Sequence, residues 1–100
     1  MYRGTTPSLI FNLPIDPTTL TQAWITISQN NNVVLNKTLA ECQIQDTSII
    51  CSLSQQDTLL LQKRIEAQVQ LRVLTEGGDA LASPIYSVKV QDILKDGVIE

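Results

Sequence analysis

Two thiols and ten carboxylates are the groups here with which chemistry could be done, because the chain holds no histidine. Without imidazole it lacks the usual general base, the commonest metal ligand and any Ser-His or Cys-His catalytic pair. Cys42 and Cys51 bracket the run Gln43-Ile44-Gln45-Asp46-Thr47-Ser48-Ile49-Ile50, which reads as a tight hairpin around Asp46-Thr47. A two-residue turn pairs Gln45 with Ser48, Ile44 with Ile49 and Gln43 with Ile50. It then sets Cys42 opposite Cys51 as a close, non-hydrogen-bonded pair. Such a pair stands near disulfide range. Two outcomes stay open: a structural disulfide, or two reduced cysteines acting as small apolar residues, as suits a cytosolic chain. Two thiolates alone are too few for a zinc site.

The carboxylates Asp16, Glu41, Asp46, Asp57, Glu66, Glu76, Asp79, Asp92, Asp96 and Glu100 fall in turns, at a helix cap or on outward strand positions. Acids on separate loops can converge, as at glycosidase sites, but solvated turn acids are the expectation. Glu76-Gly77-Gly78-Asp79 could offer oxygens to calcium, without the EF-hand spacing. No G-x-S-x-G, Walker or G-x-G-x-x-G motif occurs. No catalytic residue, metal site or cofactor is expected, and the chain reads as a non-enzyme. Trp24 could stack on a sugar or sit in an interface; a place in the core is the stronger expectation.

Charge narrows the partners. The net charge is −3, and the seven basic residues are scattered, with only Lys63 and Arg64 adjacent. A phosphate-backbone binder needs a dense Lys/Arg footprint, so nucleic acid is not an expected partner. The apolar runs fall far short of the roughly 20 residues of a membrane span, so no membrane is expected either. Met1 to Pro7 has no apolar h-region, which points to a chain kept in the cytosol unless it travels in a larger particle.

These groups need elements to hold them. One hundred residues, 43% of them hydrophobic, support a single domain over residues 1–100. Leu9, Phe11 and Leu13 alternate with Ser8, Ile10 and Asn12 up to Pro14. Gln22 to Gln29 is a second strand with Ala23, Ile25 and Ile27 on one face and Trp24, Thr26 and Ser28 on the other. Asn30-Asn31-Asn32 reads as a hairpin turn, because asparagine tolerates left-handed backbone. Val33 to Leu39 returns, and the cysteine hairpin follows, its second strand running to Leu53. Ser54 is an N-cap with Asp57 three residues on, predicting one or two helical turns over 55–61, crossing between two sheets. Ile65, Ala67, Val69, Leu71 and Val73 then alternate with polar residues as a half-buried strand. Gly77-Gly78-Asp79 turns the chain, and a last strand is expected from Ser83 to Val90. The sum is an all-β, immunoglobulin-like antiparallel β-sandwich of about seven strands with one short helix near residues 55–61.

Both ends carry sequence the sandwich does not require. Tyr2 and Arg3 lie in an extended polar arm, residues 1–6, that either frays or adds to a neighbour's sheet edge. The tail, residues 91–100, holds Ile93, Leu94, Val98 and Ile99, which either pack back on the domain or dock on another copy. These six residues are the candidate interface.

The run Tyr2-Arg3-Gly4-Thr5-Thr6-Pro7-Ser8-Leu9-Ile10-Phe11-Asn12-Leu13, then Ala23-Trp24-Ile25-Thr26-Ile27-Ser28-Gln29, then Ile93-Leu94-Lys95-Asp96-Gly97-Val98-Ile99, carries a resemblance. It resembles small phage or prophage tail and baseplate structural proteins of Gram-positive bacteria. Residues 2–39 are similar to the N-terminal domain of phage baseplate upper proteins. The resemblance implies a non-catalytic assembly module of a virion tail, contacting other tail or baseplate subunits, as a homo-oligomer. It implies residence in the cytoplasm during assembly and in the virion tail afterwards. Baseplate upper proteins continue into a long connecting region and a second domain, so the receptor-binding and branching roles seated there are not carried over. The alternative is an immunoglobulin-like binding module for carbohydrate or a host protein, using loops around Asp16-Pro17 or Glu76 to Asp79 and Trp24.

Overall fold

Alternating apolar residues build two antiparallel sheets that face each other across one core. The computed structural model describes all 100 residues. The smaller sheet holds β1 (Ser8–Asn12), β5 (Ser48–Ser52) and β4 (Gln43–Gln45), in that order. The larger is ordered β3 (Asn32–Thr38), β2 (Leu20–Gln29), β6 (Ala67–Thr75), and β7 (Ala80–Ala82), with β8 (Tyr86–Val88) also on β6. Helix α1 (Gln55–Leu59) links β5 in one sheet to β6 in the other. All-β and two-layered, the chain has the expected architecture.

The core comes from one face of each strand. Ala23, Ile25 and Ile27 of β2 and Ala67, Val69, Leu71 and Val73 of β6 are buried, opposite Ile49, Cys51 and Leu53. Each large aliphatic side chain removed from water there contributes about 1.5–3 kcal/mol. Gln29 is also buried, with its amide fully used: Nε2 donates to the carbonyls of Gln62 and Ile65, and Oε1 accepts from the Gln62 N–H.

Local signals are obeyed closely. Asn30 and Asn31 take φ of 51° and 63°, the left-handed backbone the β2–β3 turn requires. The hairpin register is Gln43 to Ile50, Ile44 to Ile49 and Gln45 to Ser48, as the sequence predicts. In α1, Asp57 N–H donates to Ser54 Oγ while Ser54 N–H donates to an Asp57 carboxylate oxygen, closing a reciprocal cap.

The sandwich has eight strands, in keeping with the seven or so expected, the chain re-pairing with β6 immediately after the Gly77-Gly78 turn as β7. Two expectations are corrected. The single strand expected from Ser83 to Val90 is instead β8 alone, Tyr86–Val88. Pro84 has no N–H to give the ladder, so the strand breaks there. Ser83 bridges the break: its N–H donates to Leu71 O and its hydroxyl accepts from Leu71 N–H. Second, Trp24 is not in the core. It projects from the uncovered face of the larger sheet with 44% of its surface exposed, the alternation of β2 having sent Ala23 and Ile25 inward.

Candidate interaction surface

The arm and the tail are joined to each other and to the domain. A turn carries the arm across: Gly4 sits at φ +71°, and the Thr5 hydroxyl donates to the Tyr2 carbonyl. Tyr2 forms a parallel bridge with Gln91. Gln91 N–H donates to Met1 O at 2.8 Å, Arg3 N–H to Gln91 O at 3.1 Å, and the terminal ammonium to Lys89 O at 2.7 Å. Neither end is therefore frayed.

Arg3 is the central side chain. Its Nε donates to Leu61 O at 2.7 Å and a terminal nitrogen to Leu59 O at 3.1 Å, so the guanidinium closes the C-terminal end of α1. Its other terminal nitrogen lies 3.5 Å from Asp96 and 3.8 Å from Asp92. Lys63 reaches Asp92 from the far side at 3.3 Å. The Ile93 N–H first, and then the Lys63 ammonium, outweigh partial burial and hold the Asp92 carboxyl below its ordinary range.

Helix α1 receives both ends. The Thr58 hydroxyl, fully buried, donates to Thr5 O. Gln55 exchanges two hydrogen bonds with the main chain of Ile99, at 2.8 and 3.2 Å. Ile93 packs so closely on Gly4 that a Cβ there would stand 2.9 Å from its Cδ1 and 3.4 Å from Leu59.

Of the six interface candidates, Arg3 is spent on this internal joint, and Ile93 packs within it. Tyr2, Leu94, Val98 and Ile99 remain exposed, Leu94 completely. The joint also recruits Gly4, Gln55 and Gln91, which the sequence does not mark as interface residues, and Asp92, which it offers only as one of the turn acids. Only Gly4 carried a local signal, since a glycine after Arg3 is what a turn with left-handed backbone needs.

The remaining chemistry is quiet. Both cysteines are free thiols, Cys51 buried and Cys42 half-buried, with Cys42 Sγ 3.3 Å from Thr38 O. Burial, with the neighbouring Cys42 adding to it, pushes the Cys51 thiol up to about 12, and burial raises Cys42 as well. A thiol so held is a poor nucleophile at neutral pH. No three His, Cys, Asp or Glu side chains are grouped to hold a metal ion. Asp16 caps the short turn at Pro17–Thr19, and Glu41 bonds back to Thr38. No helix is long and apolar enough to cross a membrane. Beside Trp24 lies a shallow hollow of about 280 Å³ that Gln22, Arg72 and Leu74 also line.

No protein-family model matches the chain, and no curated protein or solved structure is significantly similar to it.

Proposed function

We infer that this chain is a non-catalytic assembly module of a phage or prophage tail or baseplate, working through subunit contacts. The observation that carries the reading is the joined arm–tail unit. It is built with a guanidinium clamp and a buried hydroxyl, yet it leaves Tyr2, Leu94, Val98 and Ile99 facing water. A tail that only packed home would have no use for a fully exposed leucine beside three more large apolar groups. Rigid display of apolar residues at fixed positions suits docking on a neighbouring subunit, because little order has to be created on binding. The resemblance of the arm, β1 and β2 to baseplate proteins supplies the setting. Purified tail particles from the bacterium carrying the gene should contain the chain at fixed stoichiometry by mass spectrometry; its absence from them would overturn the reading.

A second reading keeps one specific support. Trp24 is exposed beside Arg72 and Gln22, an aromatic plane with polar neighbours that fits an immunoglobulin-like module binding carbohydrate or a host protein. Glycans that quench or shift Trp24 fluorescence would favour it.

A further inference from the structure

We propose that β1 is a homotypic docking edge, through which two copies of this chain pair antiparallel about Ile10 to make one continuous six-stranded sheet. Unpaired strand edges are aggregation hazards, and proteins guard them with charges, proline, bulges or brevity. Every other edge here is guarded. On β3, Lys37 faces inward beside buried Ile25 and is held by Asp57 at 2.9 Å and Glu41 at 3.5 Å. The β7–β8 edge is broken at Pro84, where the register on β6 also shifts by one residue. On the far side of the smaller sheet, β4 is three residues long. Strand β1 has none of these devices: Ser8-Leu9-Ile10-Phe11-Asn12 is uncharged, proline-free and in unbroken register with β5.

The backbone of β1 fixes what can pair with it. Leu53 N–H donates to Pro7 O, and Leu13 N–H donates to Thr47 O. Alternation between these two bonds turns the main chains of Leu9 and Phe11 toward β5. It leaves the N–H and C=O groups of Ser8, Ile10 and Asn12 pointing outward. A second β1, run antiparallel, matches that set with itself: Ile10 opposite Ile10, and Ser8 opposite Asn12.

The side chains agree with this register. Ile10 is 61% exposed and lies opposite half-exposed Ile50, so pairing makes a continuous stripe of four isoleucines across the outer face. On the inner face, Leu9 comes opposite Phe11 of the other copy. There the sandwich is open, with a groove of about 460 Å³ between β1 and β8 lined by Leu9, Phe11, Leu71, Tyr86 and Val88. No charged residue lines that groove. Such a groove suits an uncharged segment with an apolar face, and β1 of a second copy, with Leu9 and Phe11 on its inner face, is one.

Sedimentation from micromolar to millimolar concentration, paired with amide exchange, tests this on the intact chain. Dimer formation with concentration-dependent protection at Ser8, Ile10 and Asn12 is expected. Ile10→Pro removes an outward N–H and a side chain that is mostly exposed in the single copy, so it should keep the fold while raising the dimer dissociation constant by at least about tenfold. Ile10→Lys sets like charges face to face on an exposed site and should do the same, and it serves if the proline variant does not fold. A chain that stays monomeric throughout, or a dimer unmoved by both substitutions, would overturn the proposal. Either result leaves the arm–tail reading untouched, since that surface is made of other residues and is tested separately by incorporation into tail particles.

Discussion

The Nε of Arg3 donates to the carbonyl of Leu61 at 2.7 Å, and through that bond the N-terminal arm is fastened across the end of the short helix that joins the two sheets. The same guanidinium meets Leu59 O and faces Asp92 and Asp96 in the tail. One side chain therefore holds three segments far apart in sequence.

Arg3→Ala should cost about 1.5–3 kcal/mol, the usual worth of hydrogen bonds made by a charged group. The loss should be local. Amide exchange of Gln91 should speed up and the tail should become open to proteolysis, with the β2–β6 amides unchanged. Arg3→Lys should recover little, since an ammonium has no planar fork to span two carbonyls and two carboxylates.

Gly4→Ala should destabilise by about 1–2 kcal/mol from left-handed backbone alone. The added methyl would also press on Ile93 Cδ1. A double-mutant cycle with Ile93→Ala should be non-additive, the pair costing less than the sum of the singles, because the second change removes the clash. Additive losses would mean that arm and tail do not touch as described.

Much of the fold was legible because its signals are local. The Gln43–Ile50 register follows from alternation and a two-residue turn, the Asn30–Asn31 turn from asparagine's tolerance of positive φ, and the α1 cap from Ser54 and Asp57. What was not legible depends on distant partners. The Tyr2–Gln91 bridge and the Arg3 bonds to Leu59 and Leu61 join segments whose meeting no short window encodes. Trp24 shows a second limit. Alternation along β2 puts it on the face opposite Ala23 and Ile25, but that this face stays uncovered depends on the placement of the other sheet.

Asp57 serves both the helix cap and the Lys37 pair. Burial raises its carboxyl, but the Ser54 N–H and the Lys37 ammonium outweigh that and leave it below the ordinary range. Its contribution is thus present above about pH 3.8 and lost as pH falls further. Asp57→Ala should cost about 1–2 kcal/mol, while Asp57→Asn, which still accepts from Ser54 N–H, should cost less. Urea midpoints at neutral pH would rank the two.

On the alkaline side Cys51 should act first. A thiol raised from 9.0 to about 12 adds stability that is whole below pH 9 and fades as pH climbs toward 12. Lys37, raised by its hydrogen bond to Asp57, adds a later loss above pH 10.5. Urea midpoints should therefore begin to fall near pH 9 in the native chain, and Cys51→Ala should make that fall shallower, leaving the smaller part that Cys42 supplies. At pH 8, iodoacetamide should label Cys42 before buried Cys51.

On the proposed function, the arm–tail unit is an assembly surface. The most direct measurement is incorporation into tail particles by the intact chain and by a Leu94→Glu, Val98→Glu, Ile99→Glu variant, with equal folding checked by circular dichroism. The native chain should be present at fixed stoichiometry and the variant absent. Equal incorporation of both would contradict the claim.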